Sequence, residues 1–231
     1  MELHILSGGA AQGVVRGLEQ EFLSQTGARL QATFGAVGMM KEKLLGGAPC
    51  DVLILTQALI DELEQSGRVE PGSAAALGRV KTGVAVKAGE AQPDVSSAEG
   101  LRAALLAARG IYFPDPQKAT AGIHFINVVK QLGILAEVEA ALRPFPNGAT
   151  AMAQMAQADE PGLLGCTQVT EILYTPGVTL VAPLPVEFEL ATVYTAALST
   201  RADQPELARR LIATLAGDAS RTLREQGGFE L

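Results

Sequence analysis

The stretch "HILSGGAAQGVVRGLEQEF", residues 4–22, places a short apolar run directly before two glycines and the start of a helical pattern. Val14, Val15, Leu18 and Phe22 recur at helical spacing, which predicts a helix over residues 11–26. A strand that passes into a helix without a loop needs a backbone free of side-chain obstruction, which glycine provides. The free N–H groups at such a helix start also suit an anion. Taken alone, the stretch fits both a tight turn and an anion site.

The same alternation of strand and helix continues along the chain. Further strands are predicted at residues 30–35, 51–56, 82–89, 110–116, 162–173, 178–185 and 189–200, the fifth of them (162–173) ending in a polar turn. Helical patterns separate most of them, and the helix at 96–108 opens with a capping box from Ser96 to Glu99. This order predicts an α/β fold in which mostly parallel sheets are flanked by helices.

Composition excludes several classes of function. The 231 residues carry a net charge of −7, which disfavours nucleic acid and anionic membrane surfaces as partners. His4 and His124 are the only histidines, and Cys50 and Cys166 lack the spacing of a zinc site, so no metal or other cofactor is expected. Two free, buried thiols are expected, although a single bridge stays open as the alternative.

No apolar stretch approaches the roughly 18–20 residues of a membrane span. Residues 2–6 already have the pattern of a strand and lack the charged and apolar regions of a secretory signal. The chain as written is therefore expected in the cytoplasm, and in the periplasm if a leader has been removed from it.

Four glycine-containing turns lead into helices, and together they favour a ligand site over turn geometry alone. In open parallel sheets, helix starts gather at one edge, where ligands bind. Hydrogen bonds from such N–H groups to a charged ligand are worth roughly 1.5–3 kcal/mol each. Converging turns could therefore bind a small oxyanion or carboxylate without an arginine. The four turns are "SGGA" (7–10), "GAVG" (35–38), "ATAG" (119–122) and "NGAT" (147–150).

The chain resembles the molybdate-binding branch of the type II periplasmic solute-binding proteins. The most specific stretch is "TFGAVGMMKEKLLGGAPCDVLILTQALIDEL", and the others in family order are "LSGGAAQGVVRGLEQEFLSQTG", "GSAAALGRVKTGVAVKAG", "DPQKATAGIHF" and "GCTQVTEIL…PGVTLVAPLP". The resemblance implies two α/β lobes joined by two crossing strands, with the ligand in a cleft between them. Lobe I would comprise residues 1–82 and 192–231, and lobe II residues 83–191.

The resemblance also implies ligand residues. A ligand hydroxyl of the family matches Ser7, in the turn with Gly8 and Gly9, whereas the second falls on Val37 or Gly38, which have none. This loss favours a carboxylate-bearing organic anion over molybdate. The remaining positions that match family ligands are Ala121 within Thr120–Gly122, Gly148 (or Ala149) after Asn147, and Tyr194.

Other residues are candidates from their own chemistry. Lys41, one turn into the second helix, could pair with a carboxylate or be a solvated surface lysine. His124, just inside the "ATAG" helix, could donate to a carboxylate, shuttle a proton or be packed in the core. Thr167 and Gln168 end a buried strand, where side chains reach a ligand.

Two functions from different classes follow. The first is a non-catalytic, monomeric binding protein for a small anion, with a membrane permease of the ABC-transporter type as its partner if it is exported. The second is an isomerase of a small unsaturated carboxylic acid such as aconitate, built on the same scaffold. The isomerase would need no cofactor, and its acid and base would come from His124, Lys41 and Glu189.

Overall fold

The computed structural model describes all 231 residues, Met1–Leu231. The chain divides into two compact units: unit 1 comprises Met1–Val80 and Thr192–Leu231, and unit 2 comprises Lys81–Ala191. The chain leaves unit 1 within strand β4 (Ala75–Lys87) and returns to it at the start of strand β9 (Ala191–Leu198).

Unit 1 is built on a four-stranded sheet in the order β2-β1-β3-β9. Strand β1 runs parallel to β2 and β3, as predicted, whereas β9 is antiparallel to β3. The strands besides β9 are β1 (Glu2–Gly8), β2 (Arg29–Gly35) and β3 (Val52–Thr56). The helices are α1 (Gln12–Thr26), α2 (Val37–Leu45), α3 (Gln57–Gln65), α9 (Pro205–Ala216) and α10 (Arg221–Gln226).

Apolar periodicity explains why these segments pack into one core. All five residues of β3 are buried, as expected for a strand covered on both faces. Helix α1 buries the four predicted positions Val14, Val15, Leu18 and Phe22. The buried side chains of the helices and of the central strands form a single apolar cluster within unit 1.

Unit 2 has a second sheet in the order β4-β7-β5-β6, with β8 also paired to β4. Strand β5 is parallel to β6 and β7, and β4 is antiparallel to β7 and β8. The strands are β5 (Gly110–Pro114), β6 (Leu142–Phe145), β7 (Leu163–Gln168) and β8 (Val178–Pro183). The helices are α4 (Ala98–Ala107), α5 (Thr120–Gln131), α6 (Leu135–Val138), α7 (Gly148–Gln157) and α8 (Val169–Tyr174).

Three local predictions differ from the structure. Helix α4 is capped by Ser97, whose hydroxyl accepts from Gly100 N, while Ser96 bonds Asp94. The residues after β7 form helix α8 and not a polar turn, because tertiary packing buries its first four residues, Val169 to Ile172. Strand β4 begins at Ala75, seven residues before the predicted start, since it extends into unit 1.

No single helix combines the length and apolar composition of a membrane span, although Thr120–Gln131 and Leu135–Ala141, bent by 119°, reach them when taken together. Both cysteines are free and buried, as expected. Burial raises the pKa of the Cys50 and Cys166 thiols, so both are neutral and unreactive near pH 7.

Candidate functional site

The first two glycine turns lie side by side in unit 1. Strands β1 and β2 are adjacent and parallel, and Gly8 pairs with Gly35. Both strands therefore lead into their helices at the same edge of the sheet. A methyl group on Gly8 would lie 2.8 Å from Val37 Cγ1 and 3.2 Å from Tyr194 Cε1. The structure therefore brings Gly8, Val37 and Tyr194 together, and only glycine allows this close approach.

Ser7 lies next to this group on β1. It is fully buried, and its hydroxyl donates to Gly8 O at 2.8 Å. Gly9 is buried in a single 3-10 turn that precedes α1.

Helix α2 starts without a side-chain cap. Its N-cap residue is Ala36, which has no acceptor, and Val37 and Gly38 are the first two helical residues. The N–H groups of this first turn therefore have no side-chain acceptor, as is also the case for α1, whose N-cap residue is Ala11. Such groups are suited to an anionic ligand.

In unit 2, helix α5 also starts without a side-chain cap, because its N-cap residue is Ala119. Thr120 and Ala121 form its first turn, and Ala121 is buried. Gly122 lies so close to the end of β5 that a methyl group there would overlap the carbonyl oxygens of Pro114 and Asp115. The glycine therefore serves helix-to-strand packing.

Helix α7 differs, because side chains occupy its start. Asn147 Oδ1 accepts from Thr150 N at 2.8 Å. Glu171, on α8, accepts from the backbone N–H groups of Ala149 and Gln168. The Thr167 hydroxyl donates to Glu171 Oε2 at 2.5 Å. A methyl group on Gly148 would overlap Glu171 Oε2 and Thr167 Oγ1, so the glycine makes room for the carboxyl group.

Glu171 is a buried carboxyl group in this region that sequence reasoning missed. It is 5% exposed, and burial raises its pKa to about 7 despite the hydrogen bonds, which act in the opposite direction. Its only sequence signal is a carboxylate four residues after Thr167, at the end of a buried strand. Glu171 is the third residue of α8 and accepts from the backbone N–H of its N-cap residue Gln168, which is the position of glutamate in a capping box.

Two further hydroxyls are buried in unit 2. Thr82 Oγ1 and Thr170 Oγ1 have no hydrogen-bond partner within the protein. Thr82 pairs across the sheet with Gln168, which is also buried, and Thr170 lies two residues further on. Buried polar groups are rarely left without a partner, so these hydroxyls mark a polar region at the end of β7.

The three candidate acid–base residues already have partners. Lys41 Nζ lies 2.6 Å from Glu62 Oε1, within unit 1. His124 Nε2 lies 2.7 Å from Phe188 O, and Glu189 Oε2 lies 3.1 Å from Lys81 Nζ, both within unit 2. No group of three or more His, Cys, Asp and Glu side chains is arranged to hold a metal ion.

Comparisons with known proteins agree with this architecture. Over 99% of both chains, the fold matches a periplasmic molybdate-binding protein of Azotobacter vinelandii, with a TM-score of 0.81 and 20% identity. It also matches a sulfate-binding protein of Mycobacterium tuberculosis over 99% of this chain and 86% of that one, with a TM-score of 0.76 and 14% identity. The predicted α/β fold of type II periplasmic binding proteins is thereby confirmed.

Sequence comparison gives two further matches. An aconitate isomerase of Pseudomonas is 27% identical over 97% of this chain and 86% of its own length. Residues 3–230 match the family described as bacterial extracellular solute-binding protein. Because this match extends over almost the entire sequence, the chain belongs to the bacterial extracellular solute-binding protein family.

Proposed function

We propose that the protein binds a small anion without chemical change, and that it prefers an organic carboxylate to molybdate. The observation that carries the proposal is that three of the four glycine turns lead into helices with an alanine N-cap and no side-chain cap, namely α1, α2 and α5. Each leaves N–H donors at the end of a strand, where ligands of α/β proteins bind.

The side chains around α2 support the preference for a carboxylate. Ser7 precedes Gly8 on β1, and the side chains that Gly8 approaches are those of Val37 and Tyr194. A tetrahedral oxyanion needs donors on every oxygen, and an isopropyl group supplies none. An organic acid places its carboxylate on the N–H groups and its carbon chain against such apolar surface.

A thermal-shift panel with trans-aconitate, citrate, molybdate and sulfate tests this proposal. We expect the carboxylates to give the largest increase in Tm, since a ligand that binds only the folded state stabilises it by mass action. A larger shift with molybdate and none with the carboxylates would contradict the ligand class. No shift with any of the four anions would contradict anion binding itself.

The variant Ser7→Ala locates the site within unit 1. Loss of one hydrogen bond to a charged ligand is expected to weaken binding roughly tenfold or more in calorimetry. Ser24→Ala is the matched control, because Ser24 is exposed on α1 and its hydroxyl bonds only Glu21 O. Equal affinities for both variants would place the ligand elsewhere.

For a binding protein of this kind, the expected partner is a membrane permease of the ABC-transporter type, with the protein acting as a monomer. The extracellular description of its family supports export. The net charge of −7 leaves nucleic acid without support as a partner.

The match to an aconitate isomerase favours a second candidate, isomerisation of an unsaturated carboxylic acid. The reaction needs a group that removes and returns a proton. His124, Lys41 and Glu189 are the predicted groups, and each would have to leave its present partner. NMR of trans-aconitate incubated with the protein in D₂O separates the candidates. An unchanged spectrum supports a binder, and deuterium incorporation that is lost in His124→Ala supports the isomerase.

A further inference from the structure

Unit 2 has an open cavity of about 270 Å³ where β4 ends and β7 begins. The two strands contribute Val86, Leu163 and Leu164 to its lining, and the second half of α4 contributes Ala104 and Ala107. These side chains make the lining mostly apolar. At about 30 Å³ for each water-sized group, the cavity has room for a ligand of roughly nine non-hydrogen atoms.

The cavity is separate from the helix starts described above. It includes Leu163 and Leu164 at the beginning of β7, whereas Thr167 and Gln168 lie at the end of that strand. Four residues of a strand span about 13 Å. Strand β5 is parallel to β7 and leads into α5, so the start of α5 lies toward the other end of the sheet. A ligand in the cavity would therefore not compete with the proposed anion.

One acidic side chain lines the cavity, and no basic side chain does. Glu90 Oε2 accepts from Gly162 N at 3.3 Å, and Glu90 N donates to Lys87 O at 3.1 Å, so the residue is held in place. The second carboxylate oxygen, Oε1, has no hydrogen-bond partner within the protein. Arg109 packs beside Gly162 but forms no ion pair with Glu90. The cavity therefore carries an uncompensated negative charge.

The end of α4 adds to this negative potential. The helix ends at Ala107, and its last turn contains no basic residue. The last carbonyl groups of a helix lack intrahelical donors and carry a partial negative charge. Ala107 and Ala108 both line the cavity. A cation with N–H donors is therefore complementary to this end of the helix.

We propose that this cavity binds a small molecule that carries one primary ammonium group on an apolar body. The apolar body would lie against Val86, Leu163 and Leu164, and the ammonium group would donate to Glu90 Oε1 and to carbonyl groups at the end of α4. Both kinds of acceptor need N–H donors, which a quaternary ammonium group does not have. An anion has no basic side chain to pair with here. The proposal is independent of the anion binding proposed above.

Benzylammonium, benzyl alcohol and benzoate test the proposal, because they share one ring and differ in charge. Each would be titrated at pH 7 into ¹⁵N-labelled protein, and the amide NMR signals of residues 86–92, 104–109 and 162–164 would be followed. We expect benzylammonium to shift these signals with the highest affinity and benzoate with the lowest. Binding of benzoate that equals that of benzylammonium overturns the proposal. Unchanged signals with benzylammonium up to about 10 mM also overturn it, since even a fragment of this size should bind a complementary cavity in that range.

The variant Glu90→Gln tests the charge, because the amide oxygen can still accept from Gly162 N. The affinity for benzylammonium is expected to fall about fivefold, a moderate loss because Glu90 is only half-buried, while that for benzyl alcohol stays unchanged. Glu99→Gln is the matched control, since Glu99 is exposed in the first turn of α4. Equal affinities of both variants for benzylammonium would overturn the role of Glu90.

The variant Ala104→Leu tests the cavity itself by filling it. We expect it to abolish the shifts caused by benzylammonium, whereas Ala103→Leu, at an exposed position on the same helix, should keep them. Binding that persists in folded Ala104→Leu would place the ligand outside the cavity. The ligand series with wild-type protein needs no variant, so it decides the proposal if Ala104→Leu does not fold.

Discussion

At the scale of single residues, buried carboxylates in this protein have two different environments. Asp51 is 1% exposed and accepts three backbone N–H groups, from His4, Asp203 and Gln204, at 2.7–3.1 Å. Glu171 accepts two backbone N–H groups and one hydroxyl, and its pKa is raised to about 7. Hydrogen bonds hold a carboxyl group in place in both cases, and for Glu171 burial outweighs them in setting the pKa.

Glu171 therefore makes stability depend on pH without any ligand. Its pKa is raised from 4.5 to about 7, so between these values the folded state holds a proton that the unfolded state releases. Its contribution is greatest below pH 4.5 and is lost as pH rises through 7. Relative to wild type, Glu171→Gln should gain roughly 3 kcal/mol between pH 4.5 and pH 8.5 in urea unfolding. A constant difference between the two proteins across this range would contradict the raised pKa.

At the scale of secondary-structure elements, helix starts separate into capped and uncapped ones. Helices α3, α4 and α7 are capped by Thr56, Ser97 and Asn147, whereas α1, α2 and α5 have alanine at that position. A capped start already has a partner for its N–H groups, so the uncapped ones are the better candidates for ligand binding.

The cap of α4 provides a direct test of this description. Ser97→Ala removes the acceptor of Gly100 N and should cost about 1 kcal/mol of unfolding free energy. Ser96→Ala is the matched control, because Ser96 bonds only Asp94 in the preceding loop. We expect it to change stability by less than about 0.5 kcal/mol. Urea unfolding of both variants distinguishes the two serines, and a larger loss for Ser96→Ala would restore the predicted capping box.

At the scale of the whole molecule, unit 1 consists of two segments of the chain, and all of unit 2 lies between them in the sequence. Strand β9 and helices α9 and α10 belong to unit 1, although more than a hundred residues separate them from Val80. The last helix is held by the buried Arg224, which donates to the carbonyl groups of Leu77, Ala216 and Gly217 and to Ser220 Oγ. One guanidinium group therefore joins both segments of the unit.

Arg224→Lys is expected to destabilise the protein by roughly 2–4 kcal/mol, because an ammonium group cannot reach these four acceptors and leaves some of them buried without a donor. Arg221→Lys is the matched control on the same helix, since Arg221 is 55% exposed and forms surface ion pairs. Urea unfolding measures the difference. Equal stability of the two variants would show that Arg224 is dispensable for joining the segments.

Local sequence determined much of this protein. Apolar periodicity predicted α1 and its buried face, the alternation of strands and helices predicted the α/β class, and the family resemblance predicted the type II fold. These features depend on neighbouring residues or on motifs a few residues long, which a sequence displays directly. Only the tertiary structure decided that β4 and β9 run antiparallel to their neighbours and that Lys41, His124 and Glu189 have partners. It alone revealed Glu171 at the start of α7, because that contact joins α8 to a turn more than twenty residues earlier, and burial in the folded unit raises the pKa.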